Sequence, residues 1–330
     1  MRGRWPLFTA TLFLVSGAAS ASVSRADARS WLERMQHAAR TLSFTGTFVY
    51  RHNSVLSAMH IVHRVSGGQV TERLTALDGH RQVIIRRRGQ IACYLPHERV
   101  LLVERRVMAL KAFPAFVPAH LKPLRQLYTM HLGGFSRVAG KVARLVIIAP
   151  RDAYRYGYRL WADRQTGLLL KASVVNDHDK RVEQFLFTHI RVRRKIPASA
   201  VGPIGVNHIS TYKEERGELF PDPRPSWTVG KVPPGFHLAM HLMRRIAGHK
   251  EIVQHLVYSD GLAGVSVFIG RRPHKKVAHD QLFRLGALHV FRSVVDHRMV
   301  TVLGDVPALT VETMGLSVRA LRQHKGHPLP

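Results

Sequence analysis

The stretch Phe44-Thr45-Gly46-Thr47-Phe48-Val49-Tyr50 alternates apolar and small or polar residues and places Phe44, Phe48 and Tyr50 on one side of a strand. Further β-rich runs follow around residues 59–65, 82–86 and 100–103. Glycine-containing turn signals separate these runs, as expected of hairpins. Short strands in hairpin order predict an antiparallel, strongly curved sheet.

Two helices are predicted to accompany this sheet. The first opens the mature chain, with Asp27 as its cap and the apolar residues Trp31, Met35 and Leu42 at helical spacing. The second is predicted from Pro118 to Leu132, where Leu121, Leu124 and Tyr128 share a face and a glycine pair supplies the stop signal.

Composition divides the chain further along. Prolines and glycines concentrate in residues 201–226, which we interpret as a linker between two domains. The predicted order is a signal peptide at 1–21, a large domain at 22–200, the linker at 201–226, a small domain at 227–323 and a disordered tail at 324–330. The small domain is predicted to combine an antiparallel sheet with a helix beginning at Pro307. The fold class is therefore α+β.

The N-terminus has the pattern of a cleavable secretory signal. Two arginines among the first four residues precede an uncharged apolar run, and Ala19-Ser20-Ala21 provides the small residues that a signal peptidase requires. The apolar run is shorter than the roughly 20 residues that span a bilayer. We therefore expect cleavage after Ala21 and export of the mature chain.

The charge is strongly basic, with 50 Lys and Arg against 21 Asp and Glu and a formal net charge of +29. In a cytosolic protein this balance would favour nucleic acid, which export makes an improbable partner. Lipid phosphates, lipopolysaccharide and acidic proteins are the polyanions that remain. A generally solvated basic surface, suited to an acidic habitat, is an equally good interpretation.

No catalytic constellation can be recognised in the sequence. The zinc-hydrolase helix motif, the nucleophile elbow and the phosphate-binding glycine loop are all missing. Asp260 and Asp305 stand in predicted turns, where Asp commonly bonds local backbone. Histidine pairs occur without a third ligand nearby, and Cys93 lies in an apolar stretch typical of a core position. We expect no enzymatic activity, metal or cofactor.

Several blocks resemble the MucB/RseB family, whose members regulate the extracytoplasmic stress sigma factor from the periplasm. The two most specific blocks are residues 151–161, RDAYRYGYRLW, and residues 258–268, YSDGLAGVSVF. Others include residues 46–50, 137–140, 166–171 and 301–307, and all run in order over nearly the whole mature chain. Asp305 stands where the family pattern has Glu, and the basic run from Arg271 to Lys276 is unusual for the family.

The resemblance implies an N-terminal unclosed β-barrel with helices, similar to lipoprotein carriers, and a smaller C-terminal α/β domain. It also implies a periplasmic regulator that binds the periplasmic domain of a membrane-spanning anti-sigma factor of the RseA or MucA type. Such regulators shield that partner from the site-1 protease and release it on lipid, lipopolysaccharide or lipoprotein signals. Homo-oligomerisation is left open.

Three sets of residues are candidates for these roles. A groove for acyl chains is predicted from Phe44, Phe48, Tyr50, Met59, Ile61, Leu121 and Leu124. The alternative is that these residues form an ordinary filled core. Arginines at the rim, Arg86 and Arg87, are candidates for lipid phosphates. A region for the anti-sigma partner is predicted around Tyr258, Ser259, Asp260, Leu262 and Phe268, although residues 258–261 fit a hairpin turn equally well.

Two other functions compete with this interpretation. A lipid or lipoprotein carrier without a regulatory role would need only the first domain. An extracytoplasmic hydrolase would need an active site that the sequence does not reveal.

Overall fold

The structure is a computed structural model that describes residues 18–52, 54–105, 124–203, 212–222, 225–272 and 280–321. Within these ranges it contains three α-helices: α1 (Ala18–Thr41), α2 (Leu124–Leu127) and α3 (Ala308–Gly315). A 3-10 turn spans Ala198–Val201. None of the helices in these ranges is long and apolar enough to cross a membrane.

Twelve strands form the large first sheet. They are β1 (Ser43–His52), β2 (Val55–Ser66), β3 (Gln69–Ala76), β4 (Val83–Arg87), β5 (Gln90–Leu95), β6 (Val100–Arg105), β7 (Tyr128–Val138), β8 (Lys141–Pro150), β9 (Gly157–Asp163), β10 (Leu169–Val175), β11 (Arg181–Arg193) and β12 (Lys213–Arg216). Their spatial order is β12-β6-β5-β4-β3-β2-β1-β11-β10-β9-β8-β7. All neighbours are antiparallel except β12 and β6.

The sheet is long and unclosed. Its edge strands in the described part of the chain are β12 and β7, which do not pair with each other. The pairing of β1 with β11 joins the two halves of the sheet, because both strands are long and exchange ten residue pairs. This confirms the prediction of a large unclosed sheet that is antiparallel almost throughout.

One face of the first sheet is covered by α1. The helix contributes Ala28, Leu32, Met35 and Ala38 to the same apolar core as the inward residues of the strands. Asp27 lies inside α1 and does not cap it, because the helix already begins at Ala18. The core therefore sits between helix and sheet, as the burial of apolar area requires.

The second sheet is smaller and is built from the following part of the chain. Its seven strands are β13 (Glu218–Phe220), β15 (His237–Arg245), β16 (Ile252–Ser259), β17 (Gly264–Arg271), β18 (Gln281–Leu285), β19 (Leu288–Val295) and β20 (Arg298–Gly304), in the order β13-β15-β16-β17-β20-β19-β18. Helix α3 packs on it through Val311 and Met314. A separate pair, β14 (Trp227–Val229) and β21 (Val318–Ala320), completes this part.

The segment interpreted as a linker takes part in both sheets. Within residues 201–226, β12 adds to the first sheet and β13 adds to the second. The backbone therefore passes from one sheet to the other within a few residues.

The second predicted helix is wrong over its last five residues, 128–132, while residues 118–123 lie outside the described part of the chain. Only α2 is helical in the described part of Pro118 to Leu132, and the chain enters β7 at Tyr128. The glycine pair that was interpreted as a helix stop coincides with a register shift between Leu132 and Phe135. The physical reason is that β8 offers hydrogen-bond partners along the whole of this segment.

Candidate functional site

The predicted groove residues lie together, inside the core of the first sheet. Phe44, Phe48, Ile61 and Leu124 are fully buried, with at most 1% of their surface exposed. The aromatic rings pack edge to face, with Phe48 and Phe187 centroids 5.8 Å apart. Leu121 lies outside the described residues. The space beside these side chains is filled by α1.

Two of the predicted groove residues sit at the margin of that core. Tyr50 and Met59 are half-buried and pack against the core cluster. Burial, followed by the charge and hydrogen bond of Glu183, raises the pKa of Tyr50 well above its ordinary value. The phenol therefore remains neutral and donates to the Glu183 carboxylate.

The two rim arginines differ in their surroundings. Arg86 is engaged by an ion pair, with Nη1 3.4 Å from Oε2 of the buried Glu72. Oε1 of Glu72 in turn lies 2.9 Å from Nδ1 of His63, whose Nε2 lies 3.0 Å from the carbonyl oxygen of Ala39 in α1. Arg87 is exposed at the end of β4. Of the pair, Arg87 has the more accessible guanidinium.

A buried ionic cluster joins the two sheets. The Arg155 side chain is completely buried, and its Nε lies 3.0 Å from Oδ2 of the equally buried Asp260. Tyr128 donates its hydroxyl to the same oxygen at 2.8 Å. The other guanidinium nitrogens of Arg155 donate to Asp152 Oδ2 at 2.7 Å and to the Pro234 carbonyl oxygen at 2.5 Å. Arg155 thus binds groups from both parts of the chain.

Asp260 is held by its own turn as well as by Arg155. Its Oδ1 accepts from the backbone N–H groups of Leu262 and Ala263, at 2.8 and 2.6 Å. Ser259 Oγ donates to the Ala263 carbonyl and accepts from the Gly261 N–H. Each oxygen of the carboxylate is therefore used, one for the turn and one for the junction, which is how a buried charge is compensated.

Aromatic rings and local bonds enclose this junction. The Arg155 guanidinium lies 5.2 Å from the centroid of Phe236 and 5.6 Å from that of Tyr128. Burial raises the pKa of Tyr128 well above its ordinary value, and the neighbouring Tyr158 and Asp260 raise it further. Thr310 at the start of α3 donates to the Tyr154 carbonyl at 2.6 Å. The contact is therefore closely packed.

A second contact links the sheets near the segment that connects them. Glu104 at the end of β6 forms an ion pair with Arg244 of β15 and accepts from the backbone N–H of Ala247 at 2.8 Å. One carboxylate again bonds groups of the other sheet. The two sheets are thus joined at Asp260 and at Glu104.

The residues predicted for the anti-sigma partner are mostly not on the surface. Tyr258, Ser259, Asp260 and Leu262 are buried, while Phe268 is half-buried and stacks on His255 with centroids 4.1 Å apart. Sequence reasoning placed residues 258–261 at a hairpin turn, and the chain does turn there between β16 and β17, but it missed that Arg155 lies against this turn. The available signal was that Arg155 and Asp260 belong to the two most specific blocks of the sequence.

The described residues contain no group of three or more His, Cys, Asp or Glu side chains arranged to hold a metal ion. Cys93 is half-buried in β5 and accepts a hydrogen bond from Gln82 at 3.0 Å. The pKa of the Cys93 thiol is raised, mainly by burial. Because a raised pKa leaves little thiolate, this thiol is poorly nucleophilic.

Fold and site together define a two-sheet binding protein whose halves are joined by one buried and one partly buried ion pair. Two family models match it: the MucB/RseB N-terminal domain over residues 27–204 and the MucB/RseB C-terminal domain over residues 221–319. The chain belongs to the MucB/RseB family.

Individual relatives agree along nearly the whole length. The chain is 36% identical to the sigma factor AlgU regulatory protein MucB of Pseudomonas aeruginosa, over 94% of this chain and 97% of the relative. It is 24% identical to the sigma-E factor regulatory protein RseB of Haemophilus influenzae, with the same coverage of each chain.

Solved structures give the same result. The crystal structure of MucB in complex with MucA(peri) matches with a TM-score of 0.68 and 34% identity, over 90% of this chain and 100% of that chain. The crystal structure of MucB matches with a TM-score of 0.64 and 33% identity, over 90% and 98% of the two chains.

Proposed function

We propose that this protein is a periplasmic regulator that binds the periplasmic domain of a membrane-spanning anti-sigma factor of the MucA or RseA type. The observation that carries the proposal is the match to a MucB chain solved in complex with MucA(peri), which covers 90% of this chain. Binding, and no chemical reaction, is the proposed activity.

In this role the protein shields its partner from the site-1 protease and so restrains the envelope stress response. A bound partner segment is protected because proteases require locally unfolded chain. The net charge of +29 supports an acidic partner surface, since opposite potentials accelerate encounter.

The proposed place of action is the periplasm, reached through cleavage of the signal after Ala21. The charged start, the apolar run and the small residues at 19–21 support this proposal. N-terminal sequencing of the exported protein tests it: a mature chain beginning at Ser22 is expected, and an uncleaved chain in the membrane fraction would contradict it.

We also propose that a lipid-like signal releases the partner. The predicted groove is lined by Phe44, Phe48 and Ile61, which pack with α1 residues in one core. An acyl chain that reaches these rings would have to displace α1, and this displacement would connect lipid binding to a change of shape. Binding of lipid and of partner must then weaken each other by the same factor.

Acylated peptides test this step. They should displace a fluorescent hydrophobic probe from the mature protein and should lower its affinity for the anti-sigma domain. The matched control is the same peptide without its acyl chain. If the acylated peptide displaces neither the probe nor the partner, the proposed lipid signal is wrong.

Protection from proteolysis tests the regulatory proposal directly. The periplasmic domain of the organism's own anti-sigma factor is incubated with its site-1 protease, with and without the mature chain. We expect cleavage to slow in proportion to the fraction of partner bound. Equal cleavage rates at saturating concentrations of the chain would contradict the proposal.

A further inference from the structure

A pocket of about 470 Å³ opens on the face of the first sheet that points away from the core. Its walls come from β1, β9, β10 and the hairpin between β10 and β11. On β10, Ala172 and Val174 point into the core, so the alternate residues Lys171 and Ser173 point into the pocket. The pocket is therefore separate from the predicted groove and from the junction at Asp260.

The strand register brings distant basic residues together here. Arg51 pairs with Gln184, Gln184 with Ser173, and Ser173 with Arg159. These four residues form one row across four neighbouring strands, about 14 Å from end to end at the usual strand spacing. One row away, Lys171 pairs with Trp161. The two arginines thus flank an opening wide enough for an organic ligand.

The pocket is strongly positive. It is lined by five cationic side chains and one carboxylate: Arg51, Arg159, Lys171, Lys180, Arg181 and Asp179. Asp179 is already paired with Arg159. Arg51 and Lys180 form no ion pair or side-chain hydrogen bond with any residue that the structure describes. Several positive charges therefore face the same space without a counterion from the protein.

Lys171 is half-buried in this pocket. Its Nζ sits 4.2 Å from the centroid of the Trp161 ring. Burial, followed by the charge of Arg181, lowers the pKa of Lys171 below the ordinary lysine value. A bound anion would relieve this repulsion, since opposite charge favours the protonated amine.

The wall formed by the β10–β11 hairpin is held in place by its own turn. Asn176 Oδ1 accepts from the backbone N–H groups of His178 at 3.1 Å and Lys180 at 2.8 Å. The Asn176 N–H also donates to the Lys180 carbonyl at 3.0 Å. Because the turn is fixed before a ligand arrives, little ordering remains to oppose binding by Lys180 and Arg181.

We propose that this pocket binds a phosphate group carried by a small organic molecule, such as a phosphate monoester. A phosphate dianion has three oxygens for the guanidinium and ammonium donors, and Arg recognises it in a bidentate manner. The volume lies in the range of small-molecule sites and exceeds the space needed by an ion alone. The proposal does not depend on the anti-sigma partner.

Calorimetric titration of the intact mature chain with glucose 6-phosphate tests the proposal. Saturable binding at one site per chain is expected, and glucose alone should not bind. The variant Arg51→Gln with Lys171→Gln should bind at least about tenfold more weakly, because it loses two charge-assisted contacts. The control Arg137→Gln with Arg193→Gln changes the net charge equally at two exposed positions and should bind as the wild type does.

Lys180→Gln provides a second variant that does not threaten folding. Its side chain is exposed and forms no hydrogen bond or ion pair with a described residue. The hydrogen bond from its backbone N–H to Asn176 remains after the substitution, so the turn is preserved. We expect severalfold weaker binding of glucose 6-phosphate by this variant. An unchanged affinity in both pocket variants would overturn the proposal.

Vesicles distinguish the source of the phosphate. If phosphatidic acid vesicles bind and compete with glucose 6-phosphate, the pocket accepts a lipid headgroup. If only glucose 6-phosphate binds, the pocket is selective for a soluble phosphate ester, and either result supports the site. Absence of saturable binding by both, equal losses in the pocket and control variants, or tighter binding of an acidic peptide at the pocket would overturn it.

Discussion

At the scale of single residues, Asp260 connects the two sheets because its carboxylate bonds a turn on one side and Arg155 on the other. Asp260→Asn keeps an oxygen for the turn but removes the buried carboxylate beside Arg155, which leaves the guanidinium with only the partly exposed Asp152 as a counter-charge. We expect the free energy of unfolding to fall by about 3–5 kcal/mol, measured by urea unfolding. Asp177→Asn, at an exposed carboxylate, is the control and should change it by less than about 0.5 kcal/mol.

His255 is a second residue with a measurable consequence. It is 1% exposed, and among the described residues neither ring nitrogen has a hydrogen-bond partner. Burial, with a smaller contribution from Arg244, lowers the pKa of His255 to about 3. The unfolded chain therefore binds a proton below pH 6.5 that the folded chain does not bind, and stability falls as the pH falls.

The expected contribution of His255 between pH 7 and pH 5 is a loss of about 2 kcal/mol. His255→Phe preserves a ring to stack on Phe268 and should remove this part of the pH dependence, measured as the change of Tm between the two pH values. His178→Gln, at an exposed histidine, should leave the dependence unchanged. An identical pH dependence in His255→Phe and wild type would show that His255 is protonated in the folded state.

Two other histidines also make stability depend on pH, and this bears on the acidic habitat suggested by the basic composition. The pKa values of His60 and His289 are also lowered, in both cases mainly by burial. These histidines make the folded state sensitive to mild acid. The predicted stability therefore favours a neutral habitat over the acidic one that the excess of arginine suggested.

At the scale of the strand, β1 needs a glycine at Gly46, where it pairs with β11. A Cβ at this position would lie 2.7 Å from the His189 carbonyl oxygen and 2.8 Å from Cε1 of Phe187. Gly46→Ala should lower the free energy of unfolding by about 1–3 kcal/mol, because a backbone atom cannot move aside. Gly134→Ala in β7 meets nothing within 4 Å and is the matched control, expected to be neutral or slightly stabilising.

Strands were predicted better than helices in this chain. The alternation around Phe48 has a single interpretation, since its period of two fits only a strand with one buried face. The segment after Leu124 carried two periods at once: Leu124 and Tyr128 suit a helix, whereas Tyr128 and Met130 alternate as in β7. Pairing with β8 decides between them, and that pairing is a tertiary contact that local sequence does not contain.

At the scale of the whole molecule, the two-part architecture followed from the sequence, while the contact between the parts did not. Arg155 and Asp260 lie far apart in the chain, and each has a sufficient local explanation as part of a turn or strand end. The pocket was missed for the same reason. It depends on β1 lying beside β11, a pairing of strands that are distant in sequence.

The central claim is that this chain binds the periplasmic domain of its anti-sigma factor, and the most direct test is equilibrium binding of the two purified proteins from the same organism. A stable complex with micromolar or tighter affinity is predicted, detected by calorimetry and by co-elution in size-exclusion chromatography. MucB and MucA of Pseudomonas aeruginosa, whose complex has been solved, are the positive control. Separate elution and no heat of binding, under conditions in which the control pair associates, would contradict the claim.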